Sequence, residues 1–202
     1  MDKNPREMKM LTKEIKIVAI GVSTGGPAIL QKILSSLGDE FPPILIVQHI
    51  SPGFLVMMTD LLKQQTKRNI IIPHQGEPIK QGCIYMAPDS FHMGVTVQHC
   101  IDLSNADPEN GIRPAISYLL RSVNKVFGAQ SLGILLTGMG HDGVTELKKM
   151  KESGAMTVVQ DKASSVVHGM AGDAITKQAV DRVMTPEQIT ELLKSLSKRS
   201  HG

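Results

Sequence analysis

The chain has 202 residues and a mass of 21.9 kDa, a size that fits one α/β domain able to bury about 70% of its unfolded surface. Its net charge is +3, its aromatic content is 3% and it has no Trp, so the interleaved basic and aromatic side chains typical of nucleic-acid binding are missing. No apolar run reaches the roughly 20 residues that span a bilayer, and no signal peptide is evident. Because Cys83 and Cys100 form no C-x-x-C pair, we expect a reduced, cytoplasmic protein that neither binds nucleic acid nor inserts into a membrane.

Residues 1–14 are polar and aperiodic, and we interpret them as a tether. Over residues 15–198, short β-branched runs alternate with amphipathic helical patterns. This alternation predicts one α/β domain with a doubly wound, mostly parallel sheet and helices on both faces. The predicted strands cover 15–21, 43–48, 69–72, 131–137 and 155–160. The predicted helices cover 27–37, 54–65, 113–127, 144–153 and 186–198.

Two local signals refine this pattern. The apolar runs 83–86 and 94–97 flank the turn residues 88–90, which predicts an antiparallel hairpin near one edge of the sheet. The last predicted helix has the clearest start, because Thr185 and Gln188 form a capping box and Pro186 occupies the first helical position.

The stretch Gly21-Val22-Ser23-Thr24-Gly25-Gly26 joins the first predicted strand to the first predicted helix. It places Ser23 near a helix N-terminus, where free amides and the helix dipole favour negative charge. The spelling fits the nucleophile elbow G-x-S-x-G, whose glycines permit a very tight turn. Glycine-rich turns of this kind also hold phosphates, so the turn alone leaves both uses open.

Three predicted strands are followed by side chains that together could perform acyl transfer. Ser23 follows the first strand, His49 the second, and Asp142 lies in the loop after the strand near 131–137. The carboxyl ends of parallel strands meet at one edge of a sheet. A serine nucleophile needs an imidazole to take its proton, and the imidazole needs a carboxylate to orient it. Taken singly, His49 could instead bond a neighbouring loop and Asp142 could cap the helix that follows it.

A rival interpretation comes from Gly138-x-Gly140-x-x-Gly143, which matches a dinucleotide-binding fingerprint with Asp161 further on. It would make the chain a nucleotide-binding oxidoreductase. Against it, a carboxylate at position 142 would repel a pyrophosphate. Neither glycine-rich turn continues as a Walker phosphate loop, and the remaining histidines lack zinc-ligand spacing. We therefore expect no cofactor and no metal.

Five ordered motifs resemble the catalytic domain of the chemotaxis protein-glutamate methylesterases, the CheB type, from Ile15 to Leu196. They lie at 20–27, 47–54, 85–88 with His92, 136–143, and 159–161 with 166–170. The resemblance implies that Ser23 is the nucleophile, His49 the general base and acid, and Asp142 its orienting carboxylate. It also implies that Thr24 and the amide of Met139 help hold the oxyanion.

The same resemblance implies a serine hydrolase that demethylates glutamate methyl esters, and deamidates glutamines, on cytoplasmic helices of bacterial chemoreceptors. Ser117 departs from the family, which commonly has an aspartate there. Family members usually carry a phosphorylatable receiver domain, which residues 1–14 are too short to form. We therefore expect an excised catalytic part or a stand-alone esterase governed by a separate receiver-domain regulator. A catalytically inert binding module of the same fold is the remaining alternative.

Overall fold

The computed structural model describes residues 14–197. The interpretation of residues 1–14 as a tether therefore lies outside the described residues except at Glu14, and so does the last residue of the helix predicted over 186–198. The described strands are β1 (Ile17–Val22), β2 (Ile44–Gln48), β3 (Asn69–Ile71), β4 (Cys83–Met86), β5 (His92–Val95), β6 (Ile101–Ser104), β7 (Ser131–Leu135), β8 (Met156–Gln160) and β9 (Arg182–Met184). The described α-helices are α1 (Gly26–Ser35), α2 (Leu55–Thr66), α3 (Ile116–Phe127), α4 (Val144–Glu152), α5 (Gly169–Thr176) and α6 (Pro186–Ser197).

Seven strands form one parallel sheet in the order β3-β4-β2-β1-β7-β8-β9. The central strand β1 is buried over its whole length, as expected for a strand covered on both faces. Val18, Ile20 and Val22 pack with α1, α2 and α6. Ile17 and Ala19, which point the other way, pack with α3, α4 and α5. The predicted doubly wound α/β fold is confirmed.

The predicted hairpin is present, but its strands differ from those expected. Residues 83–86 form β4, which pairs in parallel with β2 and β3. The antiparallel partner of β5 is instead β6, with Met93 opposite Leu103. The expected pairing was wrong because all four residues of β4 are buried, and a short, fully buried apolar run is typical of an inner parallel strand. The turn at 88–90 only redirects the chain.

The sequence predicted the start of the last helix correctly, but it missed several short elements. The capping box is confirmed, since Thr185 N donates to Gln188 Oε1 at 2.9 Å and Gln188 N donates to Thr185 Oγ1 at 3.3 Å. The helix predicted over 113–127 begins later, at Ile116. The short elements β6, β9 and α5 were not predicted.

In the described part of the chain, no helix combines the length and the apolar character needed to cross a membrane.

Candidate active site

The three side chains selected from the sequence lie at the carboxyl edge of three adjacent strands. The strand β1 pairs on one side with β2 and on the other with β7. Val22 is in register with Gln48, and His49 N donates to Val22 O at 2.9 Å. The sheet order therefore brings the residues that follow β1, β2 and β7 together at one place.

Ser23 occupies a tight turn between β1 and α1. Its amide donates to Thr137 O at 3.0 Å, and its carbonyl accepts from Gly26 N at 2.9 Å. Gly25 has φ of +83°, and a Cβ there would lie 2.7 Å from a side-chain carbon of Val166, so both conformation and space require glycine. Within residues 14–197, every hydrogen bond of Ser23 is made by its backbone. The hydroxyl is thus held at the start of α1 without a hydrogen-bond partner in the described chain.

His49 faces Asp142 through one ring nitrogen. Its Nε2 lies 3.0 Å from Oδ2 of Asp142, and the two side chains are 15% and 6% exposed. The separation is that of a hydrogen bond, but the N–H direction is not aligned well enough to form one. Such contacts are often loose in the absence of substrate and tighten when it binds. Because Nε2 faces the carboxylate, Nδ1 is the nitrogen that remains for other chemistry.

The carboxylate of Asp142 is the best-supported group of the site. Its Oδ2 accepts from Ile116 N at 2.7 Å, and its Oδ1 accepts from Ser117 N at 2.9 Å and from Ser117 Oγ. Burial alone would raise the pKa of Asp142, but the close contact with His49 and the hydrogen bonds from Ser117 and Ile116 outweigh it and hold the pKa below its usual value. The side chain is therefore ionised at neutral pH.

Asp142 does cap a helix, but not the helix expected from the sequence. The two amides that it binds begin α3, which is far from it in sequence, and α4 starts after Gly143 instead. The positive end of the α3 dipole thus adds to the stabilisation of the carboxylate. Capping and the contact with His49 use the same carboxylate, so the two interpretations of Asp142 are compatible.

Ser117 binds two consecutive residues of the loop after β7. Its hydroxyl donates to Oδ1 of Asp142 and accepts from Gly143 N at 2.9 Å. The residue is 7% exposed. It fixes the carboxylate and the backbone after it in one orientation.

Ser117→Ala is expected to lower the free energy of unfolding by about 1.5–3 kcal/mol at pH 7, because it removes a hydrogen bond to an ionised group. The folded-state pKa of Asp142 lies below that of an unfolded aspartate, about 3.9. The stabilisation is therefore complete above that value and is lost as the pH falls through the folded-state pKa. Urea unfolding of wild type and variant from pH 7 down to pH 3 should give a difference that shrinks toward acid.

Ser35→Ala is the matched control, since Ser35 Oγ donates only to Gln31 O on the exposed end of α1. Its effect should stay within about 0.5 kcal/mol at every pH. A Ser117→Ala loss that is equally large at all pH values would contradict the stabilisation of ionised Asp142 by the Ser117 hydroxyl.

The residues named for the oxyanion are close to Ser23, one along the chain and one across the site. Thr24 follows it directly, and Met139 follows Gly138, where an added Cβ would come 2.6 Å from Ser23 Cβ. In the described part of the chain, the amides of Thr24 and Met139 donate to no other residue. Met139 is 74% exposed. The two amides that have no acceptor in the described chain thus belong to the residue after Ser23 and to the residue after Gly138, which packs against Ser23.

The geometry does not support the dinucleotide interpretation of the loop 138–143. A Cβ on Gly143 would lie 2.5 Å from a side-chain carbon of Ile116, so this glycine packs against protein. The Gly138 carbonyl accepts from two amides of α5. Asp161, the expected ribose ligand, accepts from Ala163 N and Ser164 Oγ within its own turn. Among residues 14–197, no three His, Cys, Asp or Glu side chains are grouped as metal ligands.

Sequence reasoning missed the polar side chains that support the site. Gln48 and Gln160 each end a strand that is otherwise almost wholly apolar, and both are buried. Gln160 Oε1 accepts from Thr137 N at 2.8 Å, and Thr137 Oγ1 donates to Thr24 O at 2.9 Å. The signal was present, because a buried amide in an apolar run must satisfy its hydrogen bonds somewhere.

Comparison with known proteins confirms the resemblance over most of the chain. The family model described as CheB methylesterase matches residues 18–193. The chain belongs to the CheB methylesterase family. Protein-glutamate methylesterase/protein-glutamine glutaminase 4 of Geobacter metallireducens is 47% identical over 190 residues, covering 93% of this chain and 55% of that protein. The corresponding protein 1 of Syntrophus aciditrophicus is 46% identical over 188 residues, covering 93% and 54%.

A solved structure agrees with the fold. The crystal structure of the Thermotoga maritima CheB methylesterase catalytic domain superimposes with a TM-score of 0.86 at 34% identity, covering 90% of this chain and 98% of that one. This chain spans about half the length of the two curated relatives above. The match along nearly the whole Thermotoga domain shows that this chain corresponds to a CheB catalytic domain.

Proposed function

We propose that this chain is a serine hydrolase that demethylates glutamate methyl esters on proteins. The observation that carries the proposal is the contact between His49 and the buried, ionised Asp142, at the strand edge that also holds Ser23. The names of the two curated relatives support the reaction, and their second activity supports deamidation of glutamine at the same site.

In the proposed reaction, Ser23 Oγ attacks the ester carbonyl while His49 takes its proton. Since Nε2 faces Asp142, Nδ1 is the nitrogen that accepts this proton. The ionised carboxylate stabilises the imidazolium that forms. His49 then protonates the methoxy group, which leaves as methanol, and the glutamyl ester of Ser23 remains. Water, deprotonated by His49, hydrolyses this ester to release the glutamate and restore the serine.

The amides of Thr24 and Met139 donate to the oxyanion of each tetrahedral intermediate. Both amides lack another acceptor within residues 14–197, and both lie beside Ser23. Removal of one such donor costs roughly 3–4 kcal/mol of transition-state stabilisation in comparable enzymes. Met139 contributes through its backbone, so replacement of its exposed side chain should leave this role intact.

The proposed substrate is a methylated cytoplasmic helix of a bacterial chemoreceptor, which places the enzyme in the cytoplasm. The family resemblance suggests this substrate, and the surface supports a macromolecular one. Large apolar side chains are exposed on the loops and helix that follow the same strand edge, namely Phe54, Met57, Phe91, Met139 and Val166. Apolar side chains exposed around one edge of the sheet offer a docking protein surface to bury, which favours association.

Labelling with a fluorophosphonate probe tests the proposed chemistry directly. We expect stoichiometric labelling of Ser23, and methanol release from a methylated receptor fragment that preincubation with the probe abolishes. Peptide mass mapping identifies the labelled residue. A folded chain that is neither labelled nor active would instead be the inert binding module, and labelling at another serine would remove Ser23 as the nucleophile.

A further inference from the structure

Gln48 is a buried amide at the end of an apolar strand. It is 4% exposed, and the four residues before it in β2 are aliphatic and fully buried. A carboxamide in such a place is unfavourable unless its hydrogen bonds are made. The hydrogen bonds of the Gln48 side chain therefore indicate its structural role.

The amide nitrogen of Gln48 joins the backbones of two site residues. Nε2 donates to Ser23 O at 2.9 Å and to His49 O at 2.8 Å. One side chain thus uses both of its N–H groups to tie the turn after β1 to the end of β2. It touches neither the serine hydroxyl nor the imidazole through these bonds, so it acts on their positions.

The amide oxygen of Gln48 occupies the space that a side chain at position 26 would need. Oε1 is buried and has no hydrogen-bond partner in the described chain. It lies only 1.9 Å from the place where a Cβ on Gly26 would be. The φ of Gly26 is not in the left-handed region, so a side chain here would meet the Gln48 carboxamide and displace it, without straining the backbone. Gly26 and Gln48 therefore form a matched pair at the start of α1.

We propose that Gln48 is a positioning residue that sets the separation of Ser23 and His49, and that Gly26 is a glycine because it must admit the Gln48 carboxamide. The expected effect of Gln48 on the reaction rate rests on the proposed function. Displacement of a reacting group by about 1 Å can lower a rate by 10²-fold. Loss of the link should therefore lower kcat and leave KM nearly unchanged, since Gln48 is too buried to contact substrate.

The first test replaces Gln48 without changing its volume. Gln48→Met keeps the length of the side chain and removes both donors. We expect kcat for methanol release and the rate of fluorophosphonate labelling to fall at least about tenfold, with KM within about twofold of wild type. Thermal unfolding followed by circular dichroism checks that the variant is folded. A folded Gln48→Met protein with wild-type kcat would overturn the positioning role.

The second test is a double-mutant cycle on the matched pair. Gly26→Ala alone should lower the labelling rate at least about tenfold, because its methyl group displaces the carboxamide. In a Gln48→Ala background the same substitution should change the rate less than about twofold, because the methyl group then enters vacated space. Gly38→Ala is the control, since Gly38 has open space around its Cβ position and no positive φ.

Failure of this inference is distinguishable from failure of the proposed function. An unlabelled wild-type protein would contradict the function, whereas a labelled wild type with additive effects of the two substitutions would contradict only the pairing of Gly26 with Gln48. The urea midpoints of the same four proteins provide a readout independent of activity. Non-additive midpoints support the pairing and additive midpoints overturn it.

Discussion

Ser23→Ala is expected to reduce methanol release from a methylated receptor fragment by at least about 10³-fold, with no measurable change in unfolding. The substitution removes the only atom that forms the covalent intermediate in the proposed reaction, and members of such a triad act as one unit. Stability should be retained because Ser23 is held by its backbone, through Thr137 O, Gly26 N and the Gln48 amide. An alanine keeps all three bonds.

His49→Ala should lower turnover to a similar extent, and comparison of the two variants separates the roles. In the His49 variant the serine is present but lacks its base, so slow fluorophosphonate labelling should persist, whereas Ser23→Ala should show none. Ser35→Ala is the control hydroxyl, at the far end of α1. If either Ser23→Ala or His49→Ala retained more than about a tenth of the wild-type rate, the assignment would be wrong, since loss of a general base alone costs at least about 10²-fold.

The sheet could be predicted because its strands are short aliphatic runs buried on both faces. In β1, for example, Val18 and Ile20 face one layer of helices and Ile17 and Ala19 the other, and this double burial is visible as an uninterrupted apolar run. Residues 83–86 form a run of the same kind, and they lie in the sheet as β4. The turn residues at 88–90 favour a hairpin at this point, but the uniformly apolar, buried character of residues 83–86 is that of an inner strand.

The positions of Ser23, His49 and Asp142 could be predicted for a related reason. Each follows a strand, and parallel strands present their carboxyl ends at one edge, so the topology alone brings the residues together. The supporting contacts could not be predicted in this way. Asp142 binds the first amides of α3, and Ser117 reaches the loop after β7, because of how α3 packs on the sheet. Neither the helix start nor its direction toward Asp142 is encoded near position 142.

Asp142→Asn should lower kcat by about 10²–10⁴-fold and leave KM nearly unchanged. Both carboxylate oxygens accept backbone amides, Oδ2 from Ile116 and Oδ1 from Ser117. An asparagine must therefore point its NH₂ group at an N–H donor in either orientation. The orientation toward Ser117 is favoured, because the hydroxyl there can turn to accept. The oxygen then still faces His49, but its charge is gone and the imidazolium is no longer stabilised.

Two measurements on Asp142→Asn separate the two roles of Asp142. Urea unfolding reports its role at the α3 N-terminus, and steady-state kinetics reports its role beside His49. We expect destabilisation of about 1–3 kcal/mol from the mismatched donor, together with the fall in kcat. Ser117→Ala provides the comparison, because it weakens the support of the carboxylate and keeps its charge, so its kcat should fall far less than that of Asp142→Asn. A destabilised Asp142→Asn protein with wild-type kcat would reduce Asp142 to a helix cap. The third member of the triad would then have to be sought among the carboxylates that follow other strands of the sheet, with Asp89 and Asp161 the first to be replaced.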